Sequence, residues 1–128
     1  MPHPLLELND IMKLKLYHNP RCSKSRQALE LLKQKGHSPD IITYLDSPPT
    51  AEELDRILQM LKLEPRTLMR RKEPEYLALK LDDPGLSRAQ LIAAMVATPK
   101  LIERPILVRD ESQAAVGRPT EQLLEILA

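Results

Sequence analysis

The chain has 128 residues, with 19 Lys and Arg against 18 Asp and Glu for a formal net charge of +1, a length that holds one domain with a full core and no need of disulfides or metal. This balance excludes a chain-wide basic surface for nucleic acid or a membrane, and three Tyr with no Phe or Trp leave almost no platform on which single-stranded bases could stack. The core has to come from Leu, Ile, Val, Met and Ala.

Residues 1–12 carry prolines, a few leucines and acidic residues without a period, and are expected to form an irregular leader before a folded domain over residues 13–128. Lys13 to Tyr17 reads as the first strand. A proline-kinked turn, His18-Asn19-Pro20-Arg21, follows, and Cys22 to Lys35 reads as a helix with Ala28, Leu29, Leu31 and Leu32 at helical spacing and Gly36 as its stop. Cys22, the only cysteine, therefore falls where a strand ends and a helix begins. The first N–H groups of a helix lack intrahelical partners and carry partial positive charge, which stabilises a thiolate. Arg21, Lys24, Arg26 and the titratable His18 are expected to push the same way. A lone cysteine is often a small buried hydrophobe, but burial here would require partners for Asn19, Arg21, Ser23, Lys24 and Ser25 together. The pattern points to a reactive thiol. Ser25 stands where a two-cysteine redox motif has its resolving thiol, so any redox cycle must borrow an external one.

Ile41 to Leu45 is short and β-branched and reads as a second strand, parallel to the first. Ser47-Pro48-Pro49 breaks it. Thr50 with Glu53 forms a capping box ahead of Leu54, Ile57, Leu58 and Leu61, the strongest amphipathic signal in the chain. Pro65 opens a short helix bearing Arg66, Arg70, Arg71 and Lys72, a charge run that on its own reads as a solvated face. Tyr76 to Leu81 is expected to make a helical turn or two, closed by Asp82-Asp83-Pro84-Gly85. Ser87 with Gln90 caps a further amphipathic helix ending before Pro99. Ile106 to Val108 is the third strand, Arg109 to Gln113 a polar turn, and Ala114 to Val116 the fourth strand. Gly117-Arg118-Pro119 then starts a last helix with proline at its first position. No apolar run reaches the length of a membrane span and no export signal is evident, which points to the cytoplasm.

The order of elements predicts an α/β, thioredoxin-like fold: a small mixed four-stranded sheet with a helical insertion after the second strand. In that fold Arg104-Pro105 occupies the place of a cis-proline facing the thiol.

Four separated pieces carry a closer likeness: Tyr17-His18-Asn19-Pro20 with Cys22, Arg66-Thr67-Leu68-Met69-Arg70, Glu103-Arg104-Pro105-Ile106, and Gly117-Arg118-Pro119. From about Lys13 to the C-terminus the chain resembles the arsenate reductases that work with glutathione and glutaredoxin. The resemblance implies that Cys22 is the nucleophile with His18 beside it, and that Arg70, Arg104, Arg118 and Ser25 bind arsenate or a related oxyanion. It also implies glutathione as a thiol cosubstrate, glutaredoxin as a protein partner, and neither a bound cofactor nor a metal. His18 has a second reading as a residue that merely ties down the loop, and Ser25 as a local backbone hydrogen-bonder. Arg104 and Arg118, taken alone, read more readily as surface ion-pair partners, and Arg66 and Arg71 compete with Arg70 for its place. Ser23-Lys24-Ser25 departs from the Gly-Thr-Ser of many family members, a difference that bears on substrate preference. The same order of elements also resembles redox-responsive adaptors that bind RNA polymerase. Those usually present two cysteines at the first helix, and this chain has one.

Overall fold

The computed structural model describes residues 12–127, so the expected leader lies outside the described residues except for Met12. Strand β1 (Leu14–Tyr17) leads to helix α1 (Ser23–Gln34) and strand β2 (Asp40–Ile42). Helices α2 (Ala51–Leu61), α3 (Pro74–Ala78) and α4 (Arg88–Ala97), with 3-10 turns at Pro65–Leu68 and Pro99–Leu101, make up the insertion. Strands β3 (Ile106–Arg109) and β4 (Gln113–Val116) and a 3-10 segment, Thr120–Ile126, complete the described chain. The sheet order is β2-β1-β3-β4. β1 runs parallel to β2 and antiparallel to β3, and β3 runs antiparallel to β4. This is the mixed four-stranded, thioredoxin-like arrangement expected, with the helical insertion between β2 and β3.

Alternation along the strands divides the core into two layers. Leu14 and Leu16 of β1, Leu107 of β3 and Ala115 of β4 meet Ala28 and Leu32 of α1 and Leu123 and Ile126 of the final segment. Tyr17, Ile106 and Val108 point to the opposite face and pack under Leu54, Ile57 and Leu58 of α2 and Leu91 and Met95 of α4. Leu16, Leu32, Leu107 and Leu123 are wholly buried, and truncating one such leucine to alanine typically costs about 2–5 kcal/mol. Both expected capping boxes form. Thr50 Oγ1 accepts from the Glu53 N–H while Glu53 Oε1 accepts from the Thr50 N–H, and Ser87 and Gln90 repeat the exchange.

Several elements differ from the sequence reading. The helix expected to run from Pro65 through Lys72 is a single 3-10 turn, Pro65–Leu68, because Met69 turns extended and bridges Ile102. The second strand ends at Ile42 rather than Leu45, because its partner β1 turns away at Asn19-Pro20. The last rung is His18 N–H to Ile42 O at 2.8 Å, and Thr43 O then closes a turn by accepting from Asp46 and Ser47. That turn rolls Tyr44 inward until it is buried. At the C-terminus Pro119 is the capping residue, not the first helical one, and the segment is 3-10, beginning with Gln122 N–H to Pro119 O at 3.0 Å.

Candidate active site

Cys22 is the capping residue of α1, with extended backbone angles (φ −94°, ψ 124°) that leave the first N–H groups of the helix open toward its side chain. A short network fixes the loop before it. Asn19 O accepts from Cys22 N–H at 2.9 Å, and Asn19 Oδ1 accepts from Arg21 N–H at 3.0 Å. Ser25 Oγ, fully buried, accepts from Asn19 N–H at 3.3 Å, and Arg26 Nη1 donates to Pro20 O at 2.9 Å.

The Cys22 side chain is itself largely buried, and burial, the largest single influence on its thiol, pushes the pKa up. The backbone N–H groups of Ser25 and Lys24, the charge of Arg104 and the Ser25 hydroxyl together outweigh it, so the thiol titrates below its ordinary value. Stabilisation of the thiolate thus comes from the helix start and from a distant arginine. Arg26, one of the neighbouring cations expected to supply it, is directed to Pro20 O instead. His18 adds no positive charge: burial chiefly, and the nearby Arg26, hold its pKa below the usual histidine value against an opposing backbone bond at Ser25. The imidazole is neutral at neutral pH, and its Nδ1 is buried without a hydrogen-bond partner among the described residues. His18 lines a small hollow with Asn19, Arg21, Thr43 and Asp46 rather than the larger cleft next to it.

That larger cleft, of about 520 Å³, is lined by Arg70, Arg71, Lys72, Glu73, Glu103, Arg104 and Arg118, with Thr67 and Met69. Three separate stretches of sequence meet there. Residues after the Pro65–Leu68 turn pair with the segment before β3 through a Met69–Ile102 bridge, with Arg70 N–H donating to Leu101 O at 2.7 Å and Glu103 N–H to Leu68 O at 2.8 Å. Gly117 N–H donates to Pro105 O at 2.9 Å, which sets Arg118 beside Arg104. The Arg104–Pro105 peptide is cis, as the fold led one to expect, and so is Arg118–Pro119.

Within the cleft Arg118 Nε donates to Arg104 O at 2.8 Å and pairs with Glu103 Oε1 at 3.1 Å, while its Nη2 reaches Cys22 Sγ at 3.8 Å. Arg104 Nη1 lies 3.4 Å from the same Glu103 oxygen, and its Nε is buried with no partner among the described residues. Arg70 Nη1 pairs with Glu73 Oε1 at 2.8 Å. The structure thus brings Arg70, Arg104 and Arg118 to one cleft and links it to Cys22 through Arg118. Ser25, in the first turn of α1, reaches the thiol with its backbone N–H and its hydroxyl, whereas His18 faces the smaller hollow.

Sequence reasoning did not single out Tyr44, Glu73 or Glu103. Burial raises the Tyr44 phenol to about 12, against the pull of Arg104 and Arg70, and the charge of Cys22 pushes it further up. A neutral phenol therefore stands within electrostatic reach of the thiol and two of the arginines. Its placement depends on the turn that ends β2, and no local signal announces that turn. Glu103 was visible inside the Glu103-Arg104-Pro105 motif, and its type alone marks it as a partner for nearby arginines.

The sheet order and the thiol at the head of the first helix define a thioredoxin-like α/β protein. The chain belongs to the ArsC family, whose model matches residues 17–126. Among its relatives is the Escherichia coli K12 protein described as uncharacterized protein YfgD, 50% identical over 116 residues that cover 90% of this chain and 97% of that one. An arsenate reductase of Neisseria meningitidis serogroup A is 44% identical over 116 residues, covering 90% and 98%. The solved structure of an arsenate reductase from Vibrio cholerae superposes with a TM-score of 0.87 at 52% identity, over 91% of this chain and 99% of that one.

Proposed function

We propose that the protein is an arsenate reductase in which the Cys22 thiolate attacks arsenate held by Arg70, Arg104 and Arg118, with glutathione and glutaredoxin completing the reduction. The observation that carries this reading is Arg118, which contacts Cys22 Sγ at 3.8 Å and lines the same cleft as Arg70 and Arg104. The names borne by the Neisseria and Vibrio relatives agree with it.

Arsenate carries negative charge on tetrahedral oxygens, so a thiolate approaching arsenic is repelled unless cations offset that charge. Guanidinium groups suit the task because each binds two oxygens with parallel donors and stays protonated throughout. Cys22 S⁻ displaces one oxygen as hydroxide or water, forming an S–As bond, and the N–H groups at the start of α1 hold the sulfur ionised beforehand. The glutathione thiolate displaces a second oxygen to give a Cys22–S–As–S–glutathione adduct. A glutaredoxin thiolate then attacks the glutathione sulfur. The As–S(glutathione) electron pair returns to arsenic, which falls from the pentavalent to the trivalent state, and the oxidised product is the glutaredoxin–glutathione disulfide. Hydrolysis of the remaining S–As bond releases arsenite and restores Cys22. Ser25 steadies the thiolate and the loop in front of it. In this reading His18, neutral, relays a proton at the thiol.

The test is a coupled assay following NADPH consumption with arsenate, glutathione, glutaredoxin and glutathione reductase. Arsenate-dependent oxidation that disappears in Cys22→Ser is expected, because a serine hydroxyl is hardly ionised at neutral pH. Activity in Cys22→Ser within a few-fold of the native chain rules out Cys22 as nucleophile. Absence of any arsenate-dependent turnover, with recovery of RNA polymerase in a pull-down, favours the adaptor reading instead.

A further inference from the structure

The cleft holds two carboxylates among its cations, and they are placed differently. Glu73 is spent on Arg70 and Lys100, with each of its oxygens paired. Glu103 is held by one oxygen only. Its Oε1 accepts from the Arg104 backbone N–H at 3.1 Å and from Arg104 Nη1 at 3.4 Å, and it is ion-paired with the Arg118 guanidinium, whose Nε lies 3.1 Å away. Its Oε2 has no hydrogen-bond partner among the described residues, although the side chain is about one quarter exposed and lines the cleft. A carboxylate fixed at one end, with a bare acceptor at the other, sits among the guanidinium groups proposed to take the oxyanion.

We infer that Glu103 is a specificity-determining residue whose free oxygen accepts a hydrogen bond from a hydroxyl of the bound anion. The cleft therefore selects tetrahedral oxyanions that keep a proton, such as arsenate and phosphate, over those that do not, such as sulfate. The inference rests on reading the cleft as the oxyanion site. An ionised carboxylate is acceptor-only, so it rewards an X–OH group and repels a bare anionic oxygen at the same place. Sulfate and arsenate have the same shape, and at neutral pH only arsenate retains a hydroxyl. Arginines alone do not distinguish the two, because a guanidinium donates equally to either. A carboxylate in the shell does, since leaving a like-charged pair unshielded within contact distance is strongly unfavourable. The same carboxylate orients Arg104 and Arg118 through Oε1, so selectivity and the positioning of the arginines are built on one side chain.

The experiment measures binding of sodium arsenate and sodium sulfate by calorimetry at pH 7 on the full chain carrying Cys22→Ser, which removes the chemical step. It compares Glu103 with Glu103→Gln. Glutamine keeps Oε1 for the two Arg104 donors and for contact with the Arg118 guanidinium, and replaces the free acceptor by an amide that donates. The ratio of sulfate Kd to arsenate Kd should fall by about tenfold or more in Glu103→Gln, chiefly through tighter sulfate binding. Should that variant unfold, Glu103→Ala serves, with thermal unfolding confirming the fold, and the ratio should fall in the same direction. Arsenate bound with Glu103 present, and a ratio unchanged within twofold in the variants, overturns this inference alone. If neither anion binds any of these proteins, the oxyanion reading of the cleft fails and takes the inference with it.

Discussion

Arg118 is the side chain on which thiol and cleft meet, and replacing it by lysine separates charge from geometry. The guanidinium makes three contacts at once: Arg104 O at 2.8 Å, Glu103 Oε1 at 3.1 Å and Cys22 Sγ at 3.8 Å. A lysine ammonium is a single point of donation on a flexible stem. From this backbone position it can serve Glu103 or the thiol, but not both together with a forked grip on an oxyanion. A hydrogen bond to a charged group is worth about 1.5–3 kcal/mol, and every 1.36 kcal/mol of transition-state stabilisation is about tenfold in rate. Arg118→Lys should therefore lower kcat/KM for arsenate by about ten- to a thousandfold, the upper end applying if both the oxyanion fork and the thiolate contact are lost. The assay is the coupled NADPH assay at subsaturating arsenate, with Arg56→Lys on the exposed side of α2 as the control and thermal unfolding to confirm the fold of both. Kinetics for Arg118→Lys within twofold of the native chain would mean that Arg118 is a structural tie between Arg104 and Glu103. The anion would then have to be held mainly by the N–H groups at the start of α1.

The rate of iodoacetamide alkylation of Cys22 should rise with pH about a midpoint below the ordinary cysteine value, and both Ser25→Ala and Arg104→Ala should move that midpoint upward, leaving less thiolate at neutral pH. Because the folded-state pKa is lowered, the stability this ionisation contributes is complete above the unfolded-state pKa and is lost as pH falls through the folded value; the pH dependence of unfolding should therefore lose that slope in Cys22→Ser. Gly117→Ala would place its Cβ 2.9 Å from Pro105 Cγ and 3.4 Å from Leu123. It should cost about 1–3 kcal/mol of stability and lower kcat/KM by displacing Arg118, and an unchanged melting temperature and kcat/KM would contradict this. Multiple turnovers should require glutathione, because one cysteine cannot form an internal disulfide. Sustained turnover with thioredoxin as the only reductant would count against the proposed cycle.

Most of the fold was legible because its signals are local. Thr50 with Glu53 and Ser87 with Gln90 are reciprocal caps that need no tertiary context, and both form as read. The apolar spacing of Leu54, Ile57 and Leu58 put α2 against the sheet for the same reason. The length of β2 was not legible, since it depends on where β1 stops offering partners, and Ile41 to Leu45 is equally β-prone throughout. Tyr44 followed that misreading. A residue assigned to a strand gives no reason to expect a buried phenol near Cys22 and Arg104. The arginines were legible as a set only through the family resemblance. Nothing in the run from Arg66 to Lys72 says that Arg70 lines the cleft while Arg66 turns to Leu81 O and Asp83 O. The source of thiolate stabilisation was half legible: a cysteine heading a helix implies the help of the backbone N–H groups, but the contribution of Arg104 crosses the fold.

The central claim is that Cys22 bonds directly to arsenic, and intact-protein mass spectrometry tests it most directly. The native chain is incubated with arsenate and glutathione, glutaredoxin being withheld so that the cycle stalls. A species heavier by arsenic and glutathione together, mapped to the peptide that contains Cys22 and absent from Cys22→Ser, is the predicted result. A chain that stays unmodified, or one carrying glutathione without arsenic, while the complete assay still reduces arsenate would contradict it.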